Sequence, residues 1–533
     1  MAFSKKPPVT RAPNGRKESV DAGCSSGDII IAPFFDETRK HGLHRGERVI
    51  SSGRKEHADG GPGVARELGW ADCSALIVGI MLGTGIFMVF PTLAASRHPS
   101  VFFVLATWAA GTLVAWFGAM CFAELACIFP VNGGEYVFLR EAYSHRGLSP
   151  LSFLFAWAQI FVIRPASLVS LAIVFGLSGG TALSGFFRAL AGFPLPALVR
   201  ELLPVFLAAG TPVVFTIVSI RGIRLSKNVQ NALSLVKVSL LLLIIVYGLY
   251  RGRTLFSNLS PFMIPGECLT GRFFLKMGMA LIPVMWVFGG WNEAPYVGGE
   301  IRDPVRSIPR ALTFGILGLG LLYLMVNFVY LLHLTPEGLS ETWNVASELM
   351  KRWFGLEGEV VMATVIAVSA AGAVNGLILT GGRMTAAFAR DFGVLASIGR
   401  VHPRYRTPGP ALLVNLAITL LIAHTVDLDA SSIETLLLFT AGVVWIFFAL
   451  VVGSVFLFRR RLDSRDIPFK MPFYPVPHLI FLVMCGFMIW GALDYRARET
   501  LGGISILAAG VGVYYAGVLA RRVRRSSETA KKN

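Results

Sequence analysis

Charge is scarce in this chain. Of 533 residues only 15% are Asp, Glu, Lys or Arg, while 54% are hydrophobic. That balance excludes an ordinary soluble domain and belongs to a polypeptide that crosses a bilayer many times. Acidic residues are the scarcer sign, 32 against 49 Lys and Arg, for a net charge of +17. The basic residues are scattered over short loops, which argues against nucleic acid as a partner. Cysteine is also rare. The six, Cys24, Cys73, Cys121, Cys127, Cys268 and Cys485, show no metal-site spacing, and most lie in or beside apolar runs, where cysteine behaves as a small apolar residue. The nine histidines fall largely in loops and tails. No His/Asp/Glu or Cys/His cluster therefore lies inside the runs, as a membrane-embedded enzyme would need, and we expect no metal and no cofactor. A channel or receptor built on a helical bundle would need a continuous pore, and no repeated filter segment is present.

What is present is a series of apolar runs of about 20 residues, the length that spans a bilayer. They lie near 72–97, 101–128, 150–178, 200–220, 229–250, 271–298, 311–334, 357–389, 410–427, 432–458, 475–494 and 500–520, so we expect an all-α polytopic membrane protein of twelve spans. Residues 67–520 would form this domain. Lys and Arg concentrate in alternate loops, among them Arg140, Arg224, Lys227, Arg302, Arg310, Arg404, Arg406 and Arg459–Arg461. The rich side should be cytoplasmic, with both termini, in a multi-pass protein of the plasma membrane. Residues 1–66 are polar and Gly-, Ser- and charge-rich. They read as a disordered cytoplasmic tail or as the product of a start assigned too far upstream, and not as a signal peptide. Residues 521–533 read as a cytoplasmic C-terminal tail.

Two spans are interrupted by glycine. One reads Ile77-Val78-Gly79-Ile80-Met81-Leu82-Gly83-Thr84-Gly85-Ile86-Phe87, the other Trp286-Val287-Phe288-Gly289-Gly290-Trp291-Asn292. Lipid offers no partner to backbone N–H and C=O groups, so a helix that unwinds there needs another one, such as a polar ligand. Paired broken helices are the best sequence pointer to a transporter substrate site; close helix packing through small residues is the alternative. Lys237 lies within the fifth run, where a charged ammonium is functional by default unless it snorkels to the interface. Glu124, Glu135, Arg164 and Glu300 lie near membrane depth or its edge. Arg164 can snorkel and Glu135 can sit in water with its loop. Asn327, Tyr330 and Asn375 read as interhelical contacts.

Further segments complete a pattern: Phe129-Pro130-Val131-Asn132-Gly133-Gly134-Glu135-Tyr136, Ile163-Arg164-Pro165, Gly299-Glu300-Ile301-Arg302-Asp303-Pro304, Asn375-Gly376, Gly382-Arg383-Met384 and Thr407-Pro408-Gly409-Pro410. Together and in this order they resemble the amino acid–polyamine–organocation superfamily. Within it the chain is most similar to L-type amino acid transporters and their bacterial relatives, and we expect a bacterial-type member. The resemblance implies the leucine-transporter fold: five spans repeated upside down, broken helices 1 and 6, and two extra helices. It implies a carrier, either an exchanger or a proton-linked permease, with an amino acid as substrate.

The resemblance also assigns roles. An amino-acid carboxylate would take the free N–H groups of Thr84, Gly85 and Ile86 at the positive end of the outer half-helix, with the Thr84 hydroxyl assisting. The ammonium would take carbonyls near Met81, Trp286 and Gly289. Trp286 matches the family's aromatic gate, or is a core aromatic. Asn292 matches a polar lining residue, or makes a helix–helix hydrogen bond. Lys237 would occupy the place of a sodium ion, bonding carbonyls near Gly79 and Ile80 and the Ser369 hydroxyl, which implies sodium-independent transport. Glu293 has no assigned orientation. No acidic residue stands at Gly289, as it does in some members that accept cationic substrates, so neutral amino acids are expected; a cationic or broad-range amino-acid or polyamine permease is the alternative. The loop near 178–200 lacks the cysteine that links eukaryotic members to a glycoprotein, so no disulfide-linked subunit is expected.

Overall fold

The computed structural model of the chain describes residues 66–87, 100–144, 149–260, 262–263, 270–334, 344–392 and 395–530. These fall within one compact unit, Ile50–Asn533. The expected N-terminal tail, apart from Arg66, lies outside the described residues, as does Cys268.

The described residues are almost entirely helical. Two isolated bridges, Leu68 with Ile301 and Asn132 with Val297, are the β-type pairings among them. In chain order the helices are α1 (Trp70–Met81), α2 (Val101–Ile128), α3 (Glu135–Tyr143), α4 (Pro150–Ala191), α5 (Ala197–Ile220) and α6 (Ile223–Arg251). Then come α7 (Gly271–Val287), α8 (Pro304–His333), α9 (Val345–Asp391), α10 (Gly409–Ala423), α11 (Ala430–Arg461) and α12 (Val476–Ala530). Nine described helices are long and apolar enough to cross a membrane, and α1 and α10 are shorter apolar helices.

Polar side chains start several of these helices by accepting an otherwise unpaired N–H. Ser100 accepts from Phe103 N at 3.1 Å at the start of α2. Asn344 caps α9 through Ser347 N at 3.0 Å, and Asp429 caps α11 through Ser432 N at 2.8 Å. Asp72 reaches back to Gly69 N at 2.9 Å in the first turn of α1. Large apolar side chains on α5 and α6, such as Phe206, Val214, Leu243 and Val246, are exposed, as a lipid-facing surface requires.

α1 packs against α6, α8 and α9, and α4 against α5, α9, α10 and α11. α9 is the most enclosed of the long helices. The expected loop at 178–200 is corrected: α4 runs on to Ala191, closed by Gly192 at φ 79, so only 192–196 link it to α5. The expected spans 475–494 and 500–520 form one assigned helix, interrupted at Arg496 (φ −149, ψ 76). Residues 521–530, read as tail, continue that helix.

Candidate functional site

The helix is interrupted at both expected places; residues 88–97 of the first expected span lie outside the described residues. α1 ends at Met81, Leu82 leaves helical geometry (φ −74, ψ 60), and a 3₁₀ turn follows at Gly85–Phe87. Phe87 N closes back on Thr84 O at 3.2 Å. The N–H groups of Thr84, Gly85 and Ile86 thus head the next segment, the position whose donors have no acceptor within a helix. α7 ends at Val287. Gly290 then turns left-handed at φ 107, and a short helical turn runs from Trp291 to Tyr296. The turn needs glycine for space as well as for conformation: a Cβ at Gly290 would stand 2.6 Å from Ile80 Cγ2. The two breaks therefore touch.

Side chains satisfy the carbonyls that the α1 break frees. Lys237, on α6 and 2% exposed, donates to Gly79 O at 2.6 Å and Leu82 O at 3.2 Å. Ser369, on α9, donates to Leu82 O at 2.7 Å and Gly83 O at 3.0 Å. Tyr323, on α8, donates to Met81 O at 2.9 Å. Lys237 does not snorkel. Its second carbonyl is Leu82 rather than Ile80, because the non-helical Leu82 dihedrals turn that carbonyl out of the helix. It meets Ser369 through the shared Leu82 oxygen. A Cβ on Gly372 would come within 2.6 Å of Lys237 Nζ, so this glycine leaves the ammonium its path.

Across the breaks, Trp286 is 39% exposed and is not a core aromatic. It lies over Gly85, where a Cβ would come within 2.9 Å of the indole Cζ3. The Trp286 carbonyl accepts Gly289 N at 2.9 Å. Gly289 is exposed, whereas Trp291 through Glu300 are all buried. The break is open on its α7 side and sealed along the segment that leads to α8.

The seal is polar. Asn292 Nδ2 donates to Glu135 Oε1 at 3.1 Å, and the Tyr296 hydroxyl donates to Glu135 Oε2. Gln159 Nε2 reaches the Tyr296 oxygen at 3.3 Å. Arg164 NH1 donates to both oxygens of Glu293, at 3.0 and 2.9 Å, and Thr380 donates to Glu293 as well. Arg383 grips Glu300 through Nε at 2.9 Å and NH2 at 3.2 Å, and Asn132 joins at 3.1 Å. Arg164 is 3% and Glu135 1% exposed, so neither snorkels nor sits in water. A π turn at Gln159–Ile163, in which Arg164 N bonds back to Gln159 O, lies at this point of α4. Asn292 spends its amide on Glu135, a contact between segments. Beneath this seal the basic loops meet. Arg224 pairs with Glu67 at 2.8 Å, Lys227 with Asp72 at 3.1 Å, and Arg302 Nε donates to Arg66 O at 3.1 Å.

Arg383, Thr380, Tyr296, Tyr323 and Gly372 carry this site without having been assigned roles from sequence. Arg383 could have been, by the rule that singled out Lys237: it is a charge within an apolar run. The others had no signal beyond ordinary span composition. Among the described residues no group of three His, Cys, Asp or Glu is placed to hold a metal. Cys73, Cys121, Cys127 and Cys485 are free and buried.

The profile of the amino acid permease family matches residues 68–501, a stretch that contains both breaks, Lys237 and the whole seal. The chain belongs to the amino acid permease family. This permease is 27% identical over 451 residues to the b(0,+)-type amino acid transporter 1 of Mus musculus, covering 84% of this chain and 87% of the relative. It is 28% identical over 478 residues to the large neutral amino acids transporter small subunit 2 of Mus musculus, covering 88% and 84%. These relatives are mammalian, and the expected bacterial type finds no support in them. The permease is a multi-pass membrane protein of a transporter family, and not an enzyme.

Proposed function

We propose that this permease is a sodium-independent carrier of neutral amino acids that works by alternating access. The observation that carries the reading is the Lys237 ammonium on Gly79 O and Leu82 O, with Ser369 on Leu82 O and Gly83 O. A fixed cation stands where the resemblance puts a sodium ion. The nine long helices, the two shorter apolar ones and a division of α12 at Arg496 make twelve spans. The two touching breaks support the inverted repeat of five spans.

In this reading the substrate carboxylate takes the N–H groups of Thr84, Gly85 and Ile86 with the Thr84 hydroxyl. Its ammonium takes the remaining lone pairs of the Met81, Trp286 and Gly289 carbonyls, since a carbonyl oxygen has two. Trp286 closes over it. The basic end, where residues 66–72 are tied down, faces the cytoplasm with both termini, and the membrane is the plasma membrane. The permease works as a single polypeptide, because the 192–196 link offers no cysteine for a disulfide-linked subunit.

Neutral selectivity is supported by Glu293, whose two oxygens both face Arg164. It is not free to meet a substrate's distal charge. Desolvating that charge unpaired costs several kcal/mol, or at least about a hundredfold at about 1.4 kcal/mol per decade. Counterflow of labelled leucine in proteoliposomes tests the reading. We expect equal rates in choline and sodium buffers, and competition by alanine but not by lysine or arginine. A severalfold sodium stimulation would remove Lys237 from the cation place. Inhibition by lysine at the concentration effective for alanine would make the protein a cationic or broad-range permease. Activity that appears only with a co-expressed partner chain would overturn the single polypeptide.

A further inference from the structure

The seal holds more negative than positive charge. Glu135 and Glu293 are both buried, and one guanidinium, Arg164, stands between them. That guanidinium is bound to Glu293 through NH1, at 2.9 and 3.0 Å, while its Nε and NH2 are buried without a partner as placed. Among the described residues Glu135 makes no ion pair, and Arg164 acts on it only through its field. The donors to Glu135 are neutral: the Asn292 amide and the Tyr296 hydroxyl. Arg164 lies over the Tyr296 ring, 5.4 Å from its centroid. The next charged groups cancel or add to the deficit. Arg383 of α9 is held by Glu300. On the far side of α3, Arg140 is shared by Asp391 and Glu141, at 2.7 and 2.8 Å. The start of α3 favours an anion at Glu135, but only as one helix end does.

Two carboxylates that share a buried site do not both ionise readily, and a buried charge without a counter-charge neutralises instead. Burial first, and then the Glu293 charge, push the Glu135 carboxyl well above the usual carboxylate range. The hydrogen-bond chain accommodates a proton. Gln159 can present either end of its amide to Tyr296, and its Oε1 has no partner as placed. With the amide turned, Glu135 donates to the Tyr296 oxygen and Tyr296 donates to Gln159 Oε1.

The members of this chain belong to separate segments: Glu135 to α3, Asn292 and Tyr296 to the turn after α7, and Gln159 to α4. Access to the cytoplasm requires that the buried turn Trp291–Tyr296 withdraw. Water then reaches Glu135, and its reason to stay neutral disappears. We propose that Glu135 carries a proton while the seal is closed and releases it to the cytoplasm when the seal opens, so that a neutral amino acid and a proton enter together. This rests on the carrier reading above and names its coupling ion. The sign follows: the closed arrangement is favoured at low pH and is lost as pH rises through the raised pKa of Glu135.

Two measurements test it. Infrared spectra of the purified full-length protein at neutral pH should contain the carbonyl stretch of a protonated carboxylic acid, missing in Glu135→Gln. This needs no transport, so it stands even if leucine is not carried. No such band, or a band unchanged in the variant, overturns the proposal. In proteoliposomes made alkaline inside by one pH unit, wild-type protein should accumulate leucine up to about tenfold, the factor one proton supplies per unit. A protonophore should abolish the accumulation. Glu135→Gln should equilibrate leucine without concentrating it while counterflow continues, and Glu293→Gln, which removes the neighbouring charge and frees Arg164 to pair with Glu135, should weaken the response to the gradient. Leucine counterflow with no response to the gradient overturns coupling while leaving the carrier reading intact. No leucine counterflow at all overturns the leucine-carrier reading and coupling with it.

Discussion

At the scale of single residues, Lys237 shows what burial does to a charge. Its ammonium replaces water with two carbonyls and, among the described residues, has no carboxylate paired with it. Lys237→Ala leaves those carbonyls buried and less well satisfied, at about 1–3 kcal/mol for each one orphaned. We expect leucine counterflow to fall by at least about tenfold, an effect of about 1.4 kcal/mol, with membrane insertion retained. Counterflow at the wild-type rate would make Lys237 a bystander. Gly372→Ala should mimic the loss, because the new methyl would stand 2.6 Å from Nζ. Lys237 was legible in the sequence, since one charge in an apolar run is conspicuous. Its glycine neighbour was not, because a glycine in a small-residue helix carries no mark of what crosses it. Arg164 and Glu135 were visible as charges but misplaced in the alternatives considered, because their partners come from segments more than a hundred residues away in the chain.

At the scale of elements, the breaks are the part of the fold most open to sequence reasoning. Glycine pairs inside apolar runs have few uses, and the structure breaks α1 at Leu82 and α7 at Phe288. Helix limits were harder. The link between α4 and α5 is short because the run Gly179-Gly180-Thr181-Ala182 continues as helix, whereas its composition resembles a loop. Arg496 divides α12 without ending the assigned helix, since its departure is confined to one residue. Gly290 is the position where element geometry is most demanding. A non-glycine residue held left-handed costs about 1–2 kcal/mol, and here its Cβ would also strike Ile80 at 2.6 Å. Gly290→Ala should therefore lower the unfolding midpoint in detergent, measured by thermal scanning fluorimetry. Gly271→Ala, whose Cβ would meet nothing within 4 Å, should leave it near the wild-type value.

At the scale of the whole molecule, one end is bound together and the break opens away from it. Arg66–Asp72, the α4 and α9 arginines, and the turn after α7 all meet at the basic end. The expectation that the basic loops share a side rests on charge counts, which need no contacts. Such counts could not predict their pairing, which depends on helix rotation. The fixed ammonium of Lys237 has an electrical consequence. A sodium ion in that place would leave with the substrate and carry charge across the bilayer in every cycle. A lysine is covalently held, so whatever it moves through the field in one half-cycle returns in the next. Exchange of zwitterions alone would then be silent under voltage. A proton on Glu135 would be the one net charge transferred, and each 100 mV of membrane potential would add about 2.3 kcal/mol to the driving force. Recordings on solid-supported membranes should find a leucine-evoked current that persists without sodium and disappears in Glu135→Gln; a current that needs sodium would show that the charge is not tethered.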